Sequence, residues 1–177
     1  MKKTLKRKKK NCISPLTEKD YQSSDGMITS IWGPPLWHFL HTISFNYPVN
    51  PTNKTKKHYK QFLLLLKYIL PCKHCRDNFK KNLEELPLSN KVFENRQTFS
   101  EYVYNLHELV NKMLGKTSNL TYFDVRNRYE QFRSRCDKSK TKKIGKENGC
   151  VHPLYGKKKN KCVLKIVDNN SNDKSFE

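Results

Sequence analysis

Cys72 and Cys75 stand at Cys-x-x-Cys spacing, directly after Pro71 and just before a helical-looking run from Arg76 to Leu83. That setting places both sulfurs in a first helical turn, where unpaired backbone N–H groups and the helix dipole favour a thiolate. Lys73, His74 and Arg76 surround the pair with positive charge, which lowers a thiol pKa further. The same spacing lets a local disulfide form and open again. The pair either exchanges electrons or holds a metal.

Other residues bear on that choice. Trp32, Trp37, His41, His107 and Asn111 fall near helix ends or on inward faces of predicted helices. Singly, each has an ordinary explanation: most tryptophans are core aromatics, and a lone histidine on an apolar helix is more often a hydrogen-bonded core residue than a ligand. Together they fit two chemistries. Cys72, Cys75, His41 and His107 supply the ligand types of a Cys2His2 zinc site, which with the basic composition describes a zinc-stabilised nucleic-acid-binding protein. Alternatively, the dithiol lies against a flat redox cofactor, with aromatics stacking on it and histidines hydrogen-bonding to it. Zinc leaves Trp32 and Trp37 unexplained, as it does Asn111 and Lys116 following His107. A stacked, phosphate-bearing cofactor accounts for both.

The elements that position these residues read as helices. Ser30 can cap the first, Trp32-Gly33-Pro34-Pro35 suits an opening turn, and Leu36, Phe39, Leu40, Ile43 and Tyr47 recur at helical spacing. Trp37, His41 and Ser44 form a neighbouring stripe. Tyr47-Pro48 ends that helix. A second helix spans about Lys54–Ile69, with Tyr59, Phe62, Leu63, Leu66 and Ile69 or Leu70 inward, and a third runs from Cys72 to Leu83. A fourth spans Thr98–Leu114 with Phe99, Val103, Leu106, Val110 and Leu114 inward, closed by Gly115. A shorter fifth begins near Thr121 and carries Phe123, Val125, Tyr129 and Phe132. Nothing alternates long enough for a sheet, and the short connections favour antiparallel neighbours. The expected fold is all-α, a four-helix bundle plus a short fifth helix.

The 177 residues allow one domain with arms, divided here as a basic disordered arm over 1–27, a helical domain over 28–135 and a basic, cysteine-containing tail over 136–177. Lys and Arg number 36 against 16 Asp and Glu, a formal charge of +20 concentrated towards both ends. Such blocks are usually solvated arms, and they permit non-specific contact with polyanions. No apolar segment follows the basic N-terminus as in a signal peptide, and no run is long enough to span a membrane. The expectation is a soluble protein made in the cytosol. There six cysteines point to redox chemistry or metal binding, because structural disulfides are rare in that compartment.

Taken in order, Trp32-Gly33-Pro34-Pro35-Leu36-Trp37-His38-Phe39-Leu40-His41, Tyr47-Pro48, Pro71-Cys72-Lys73-His74-Cys75 and His107-Glu108-Leu109-Val110-Asn111-Lys112-Met113-Leu114-Gly115-Lys116 resemble the Erv/ALR family of FAD-linked sulfhydryl oxidases, most of all its members from large DNA viruses. The resemblance covers about residues 32–132. It implies FAD at the mouth of a helical bundle, usually in a homodimer, and a thiol oxidase that makes disulfides in protein substrates. Electrons would pass from substrate dithiols through Cys72 and Cys75 to FAD and then to O2, giving H2O2. By resemblance, Cys75 is the flavin-facing sulfur, acting as a thiolate, and Cys72 is the sulfur that meets the substrate. Trp32, Gly33, Trp37, His41, Tyr47, His107, Asn111, Lys116, Arg128 and Tyr129 would line the cofactor. No metal is implied. The viral likeness suggests the host cytoplasm and the virion.

Two departures stand out. The family's His-Asn pair reads His107-Glu108, and Tyr104 occupies the position of a cysteine that, in cellular members, tethers the fifth helix. Helix packing is expected to hold that corner. Cys150 and Cys162 could staple the tail or serve as a shuttle pair, and Cys12 and Cys136 carry no assignment.

Overall fold

A computed structural model describes residues 17–135 and 152–153. Its helices begin where side chains can satisfy open backbone N–H groups. Thr17 caps the short α1 (Glu18–Tyr21), Thr52 caps α3 (Asn53–Ile69), Asn95 caps α5 (Arg96–Met113) and Thr121 caps α6 (Tyr122–Glu130). The cap of α4 (Lys73–Glu85) is Cys72 itself. A 3-10 turn, Asn90–Phe93, leads from α4 into α5.

The first long helix, α2 (Thr29–Phe45), departs from the sequence expectation. Ile28 occupies the cap position and offers no side-chain bond, Ser30 lies inside the first turn, and Pro34 and Pro35 fall within the helix. The closing turn of α5 follows its prediction. Gly115 takes a left-handed φ of 67°, its N–H reaches Lys112 O, and the N–H of Lys116 reaches back to Asn111 O at 2.9 Å.

Helices α2, α3, α4 and α5 form the four-helix bundle. α2 packs chiefly on α5 and α3 on α4, while α6 lies across α2 and α5. Leu40, Leu63, Phe99, Val103 and Leu106 fill the centre. Of the stripe read as inward, Leu40 and Tyr47 are buried and Leu36 and Ile43 pack against the core, whereas Phe39 is exposed; Gly33, His41 and Ser44 beside that stripe are buried as well. Ile69, Leu114, Phe123 and Phe132, also read as inward or as candidates for it, are exposed, and Leu70 takes the inward place at the end of α3. Terminal turns leave such residues beyond the reach of a neighbouring helix.

Two features lie outside the helical plan. Residues 17–27, read as the end of the arm, carry α1 and a backbone bridge from Gly26 to Cys72. Ser134–Arg135 (β1) and His152–Pro153 (β2) make a two-residue antiparallel ladder. Cys12, Cys136, Cys150 and Cys162, and with them the staple and shuttle readings, fall outside the described residues.

Candidate active site

Pro71 stops α3, and the chain enters α4 through an extended Cys72. Cys72 Sγ accepts the N–H of Cys75 at 3.2 Å, so this sulfur is the one that closes the open helix end. Both cysteines are free thiols and half-buried, and Cys75 packs against the hydrophobic core. The Thr29 hydroxyl, from the first turn of α2, lies 3.6 Å from Cys75 Sγ.

The two thiols differ in acidity. A hydrogen bond from the Cys75 thiol holds Cys72 below the usual thiol range, helped by backbone N–H groups. Burial pushes Cys75 up, and its bond to Cys72 adds to this. In the reduced pair Cys72 is therefore the better thiolate. The difference comes first from the bond that the Cys75 thiol gives Cys72 and from the burial of Cys75, with the backbone amides at the cap adding to it. The surrounding charge acts differently from expectation. Lys73 and His74 are exposed, and Arg76 Nη1 donates to Leu70 O at 2.6 Å, fastening the turn.

Further along α2, a second group of predicted residues converges. Trp37 stacks on His107 of α5 with ring centroids 4.0 Å apart and planes 7° from parallel. His41 Nε2 and His107 Nδ1 share a hydrogen bond of 3.0 Å. Burial drives His41 down to about 3, with neighbouring His107 adding to the shift, and burial drives His107 down to about 4. Both rings are neutral at pH 7. Tyr129 of α6 lies 5.2 Å from His41, ring to ring, and stacks on Phe45. Asn111 donates to Glu108 at 3.1 Å, so the glutamate that replaces the family's asparagine engages the next predicted residue. Lys116 is exposed, with its positive charge acting on His107.

Four predicted residues stand apart from this group. Tyr47 is a core residue, not a lining one. It is fully buried, its ring packs on Tyr59 and Phe99, and its hydroxyl donates to Phe93 O at 3.0 Å. Trp32 is half-buried and donates through Nε1 to Met27 O at 3.1 Å, and Gly33 lies in the buried face of α2. Arg128 is exposed, and Arg133 instead joins α6 to α2, bonding Phe45 O and pairing with Glu130. Sequence reading also missed His38, whose Nδ1 meets the Tyr129 hydroxyl at 3.2 Å, and Thr29. Helical spacing from Trp37 and His41 could have found His38. Thr29 carried no signal.

The Cys2His2 zinc alternative does not match this layout. His41 and His107 bond to each other while the thiols gather at Thr29, and among the described residues no three His, Cys, Asp or Glu side chains converge as a metal site. At the Tyr104 corner, helix packing is reinforced by hydroxyls. Tyr104 donates to Leu120 O at 2.8 Å, and Tyr122 meets Ser100 Oγ at 2.8 Å.

The chain is similar to known proteins. The chain is 36% identical over 91 residues to "Probable FAD-linked sulfhydryl oxidase R368" of Acanthamoeba polyphaga mimivirus, covering 51% of this chain and 63% of that protein. It is 31% identical over 100 residues to the FAD-linked sulfhydryl oxidase of African swine fever virus (isolate Pig/Kenya/KEN-50/1950), covering 56% of this chain and 81% of that protein. The crystal structure of the FAD binding domain of Erv1 from Saccharomyces cerevisiae matches with a TM-score of 0.53 and 29% identity, over 58% of this chain and 94% of that one. The family model for Erv1/Alr matches residues 34–133, more than half the chain, and the chain belongs to the Erv1/Alr family.

Proposed function

We propose that this protein is a FAD-dependent thiol oxidase that forms disulfides in protein substrates. The observation that carries the reading is the pairing of a Cys-capped dithiol at the start of α4, met by Thr29 of α2, with a neutral His41–His107–Trp37 face formed further along α2 and on α5. At about 1.5 Å per residue, Trp37 and His41 lie about 12–18 Å along α2 from Thr29. That separation suits an extended cofactor with a redox ring at one end and a nucleotide at the other.

The residues fit such a group. His41 Nδ1 is buried with no hydrogen-bond partner among the described residues, an unsatisfied position that a polar ligand atom would complete. Trp37 and His107 offer a stacked, half-buried surface, and Lys116 brings positive charge of the kind that phosphates attract. Trp37, His41, His107, Asn111 and Lys116 would hold the cofactor, with Tyr129 closing one side. Arg128 and Trp32 are retained at the margins of the site, whereas Gly33 and Tyr47 act through the packing of α2.

The chain's own chemistry is disulfide exchange. In the oxidised pair, a substrate thiolate attacks Cys72 Sγ, a substrate–Cys72 disulfide forms, and the electron pair of the broken bond leaves on Cys75. The second substrate thiolate then attacks the substrate sulfur, releasing Cys72 and an oxidised substrate. FAD held by those residues would supply a two-electron acceptor for the reduced Cys72–Cys75 pair, with O2 as the terminal acceptor and H2O2 as its product. Cys75, set against the core, would be the sulfur that faces that acceptor, and Cys72 at the cap the one that meets the substrate.

The same reading includes a homodimer, supported by Phe39 on α2 and Leu65 on α3, exposed large apolar side chains on adjoining helices. It includes a helical oxidase domain over 28–135 between basic extensions, and non-specific polyanion contact through those extensions, which the charge of +20 favours. Viral relatives support a viral protein acting in the host cytoplasm and carried in the virion. Among the described residues, no helix is long and apolar enough to cross a membrane.

A visible absorption spectrum of the purified protein, recorded with a small dithiol first without air and then with it, tests the reading. A flavin spectrum should bleach without oxygen and return with it as peroxide appears. A colourless protein that releases zinc on denaturation would overturn the reading.

A further inference from the structure

The dithiol is fastened by a segment that the exchange chemistry does not itself require. Asp25–Gly26–Met27 runs antiparallel to Pro71–Cys72–Lys73. Met27 N–H donates to Pro71 O at 2.6 Å, and Lys73 N–H donates to Asp25 O at 3.1 Å. Gly26 has φ 105°, and a Cβ there would fall 2.0 Å from Pro71 O, so only glycine lets the two backbones approach this closely. Trp32 Nε1 holds Met27 O from the other side. Two residues after Met27, Thr29 brings its hydroxyl to Cys75 Sγ at 3.6 Å.

We propose that Thr29 is a catalytic residue of the dithiol: its hydroxyl donates to Cys75 Sγ when the disulfide opens, and the Asp25–Met27 strap holds it in place. The inference rests on the reading of Cys72–Cys75 as the reacting pair. When the Sγ–Sγ bond breaks under attack at Cys72, its electron pair leaves on Cys75, and a substrate–Cys72 disulfide takes its place. Cys75 then carries a negative charge in a half-buried position, having lost the thiol partner it has in the reduced pair. The Thr29 O–H meets that charge without transferring a proton, so the oxidation states are those of the exchange alone. A neutral hydroxyl lowers the pKa of a neighbouring thiol when it bonds the thiolate, and Thr29 acts in that direction on both cysteines. Because Thr29 is exposed, water competes for the same sulfur and the effect is modest.

The test isolates Cys75 in a Cys72→Ser chain, since serine preserves an oxygen cap for α4. Alkylation of Cys75 by iodoacetamide is followed against pH by mass spectrometry of its peptide, which separates it from the other cysteines. Adding Thr29→Val should raise the midpoint by about half a pH unit, about a threefold slower reaction at neutral pH. Thr29→Ser should restore the original profile. Gly26→Ala, which dislodges the strap, should raise the midpoint similarly and should add nothing on top of Thr29→Val. An unchanged midpoint in Thr29→Val, or a serine that fails to restore it, overturns the role of the hydroxyl. A Gly26→Ala shift that persists undiminished in the Thr29→Val chain overturns the role of the strap. If Thr29→Val does not fold, Gly26→Ala decides the matter, and an unshifted midpoint there overturns the proposal. None of these readouts needs bound flavin. A colourless protein that still shows the shifts would sink the oxidase reading alone, and a yellow one without them would sink this inference alone.

Discussion

The two ends of the proposed site are built in opposite ways. At the dithiol the structure is made of backbone: an N-cap sulfur, a glycine-dependent strap and an arginine on a carbonyl, all half-buried or exposed. At the His41–His107 pair it is made of side chains packed on side chains, desolvated and uncharged. Backbone clamps fix a position while leaving the sulfurs open to a partner. A packed histidine pair instead fixes tautomer and charge, and excludes water. Reaction with a protein substrate needs the first arrangement, and retention of a ligand needs the second.

Four predictions test this contrast. The largest effect belongs to the open end. Cys75→Ser should reduce dithiol oxidation to background in an oxygen-electrode assay, with little change in the thermal midpoint, because both sulfurs are needed to form and exchange the disulfide. A large loss of stability would mean that the sulfur is structural and would erase the distinction. At the closed end, stability should suffer as well as ligand retention. His107→Ala strands His41 Nε2 beside the already unpartnered Nδ1 and removes the ring stacked on Trp37, at a cost of about 2–4 kcal/mol in urea unfolding, together with loss of flavin.

The histidines also set a pH dependence. Their folded values, about 3 and about 4, lie below the unfolded value of about 6.5, so between pH 6.5 and 4 the unfolded chain binds the protons. Stability is fully present above pH 6.5 and should fall as pH drops through that window, by up to about 1.4 kcal/mol per pH unit for each ring. Urea midpoints at steps from pH 7 to 4 would check this, and His107→Gln should flatten the slope. The smallest effect is expected away from both ends. Tyr104→Phe loses the bond to Leu120 O and should cost about 1 kcal/mol, leaving alkylation of Cys75 unaltered.

The sequence made the helices and the dithiol legible because both depend on local rules. Caps, prolines and Gly115 mark the boundaries of α3 to α6, and Cys-x-x-Cys after a proline marks the reactive turn. Facing was harder to read. On α2 the apolar stripe does reach the core through Leu36, Leu40 and Ile43, yet Phe39 stays exposed while His41 and Ser44 are buried, with His107 of α5 bonding His41. Tyr47 looked like a site residue because of its place in a motif, whereas its ring anchors the core through Phe93 and Phe99. The strap was invisible. Its bonds are backbone to backbone across a long sequence separation, and Gly26 sits in a polar stretch with no periodicity.

The two prolines inside α2 have a dynamic consequence. Without N–H groups, Pro34 and Pro35 cannot return hydrogen bonds to the carbonyls of Ser30 and Ile31, so the ladder of α2 is broken between its opening turn and its body. The exposed opening turn, Thr29 to Ile31, then belongs cooperatively with the strap rather than with the core. In amide hydrogen exchange, that turn should open together with residues 25–27 and 71–73 as one low-energy unit, while His41 to Phe45 exchange only with global unfolding. The reactive corner can thus loosen to admit a partner without disturbing the packed half of the same helix.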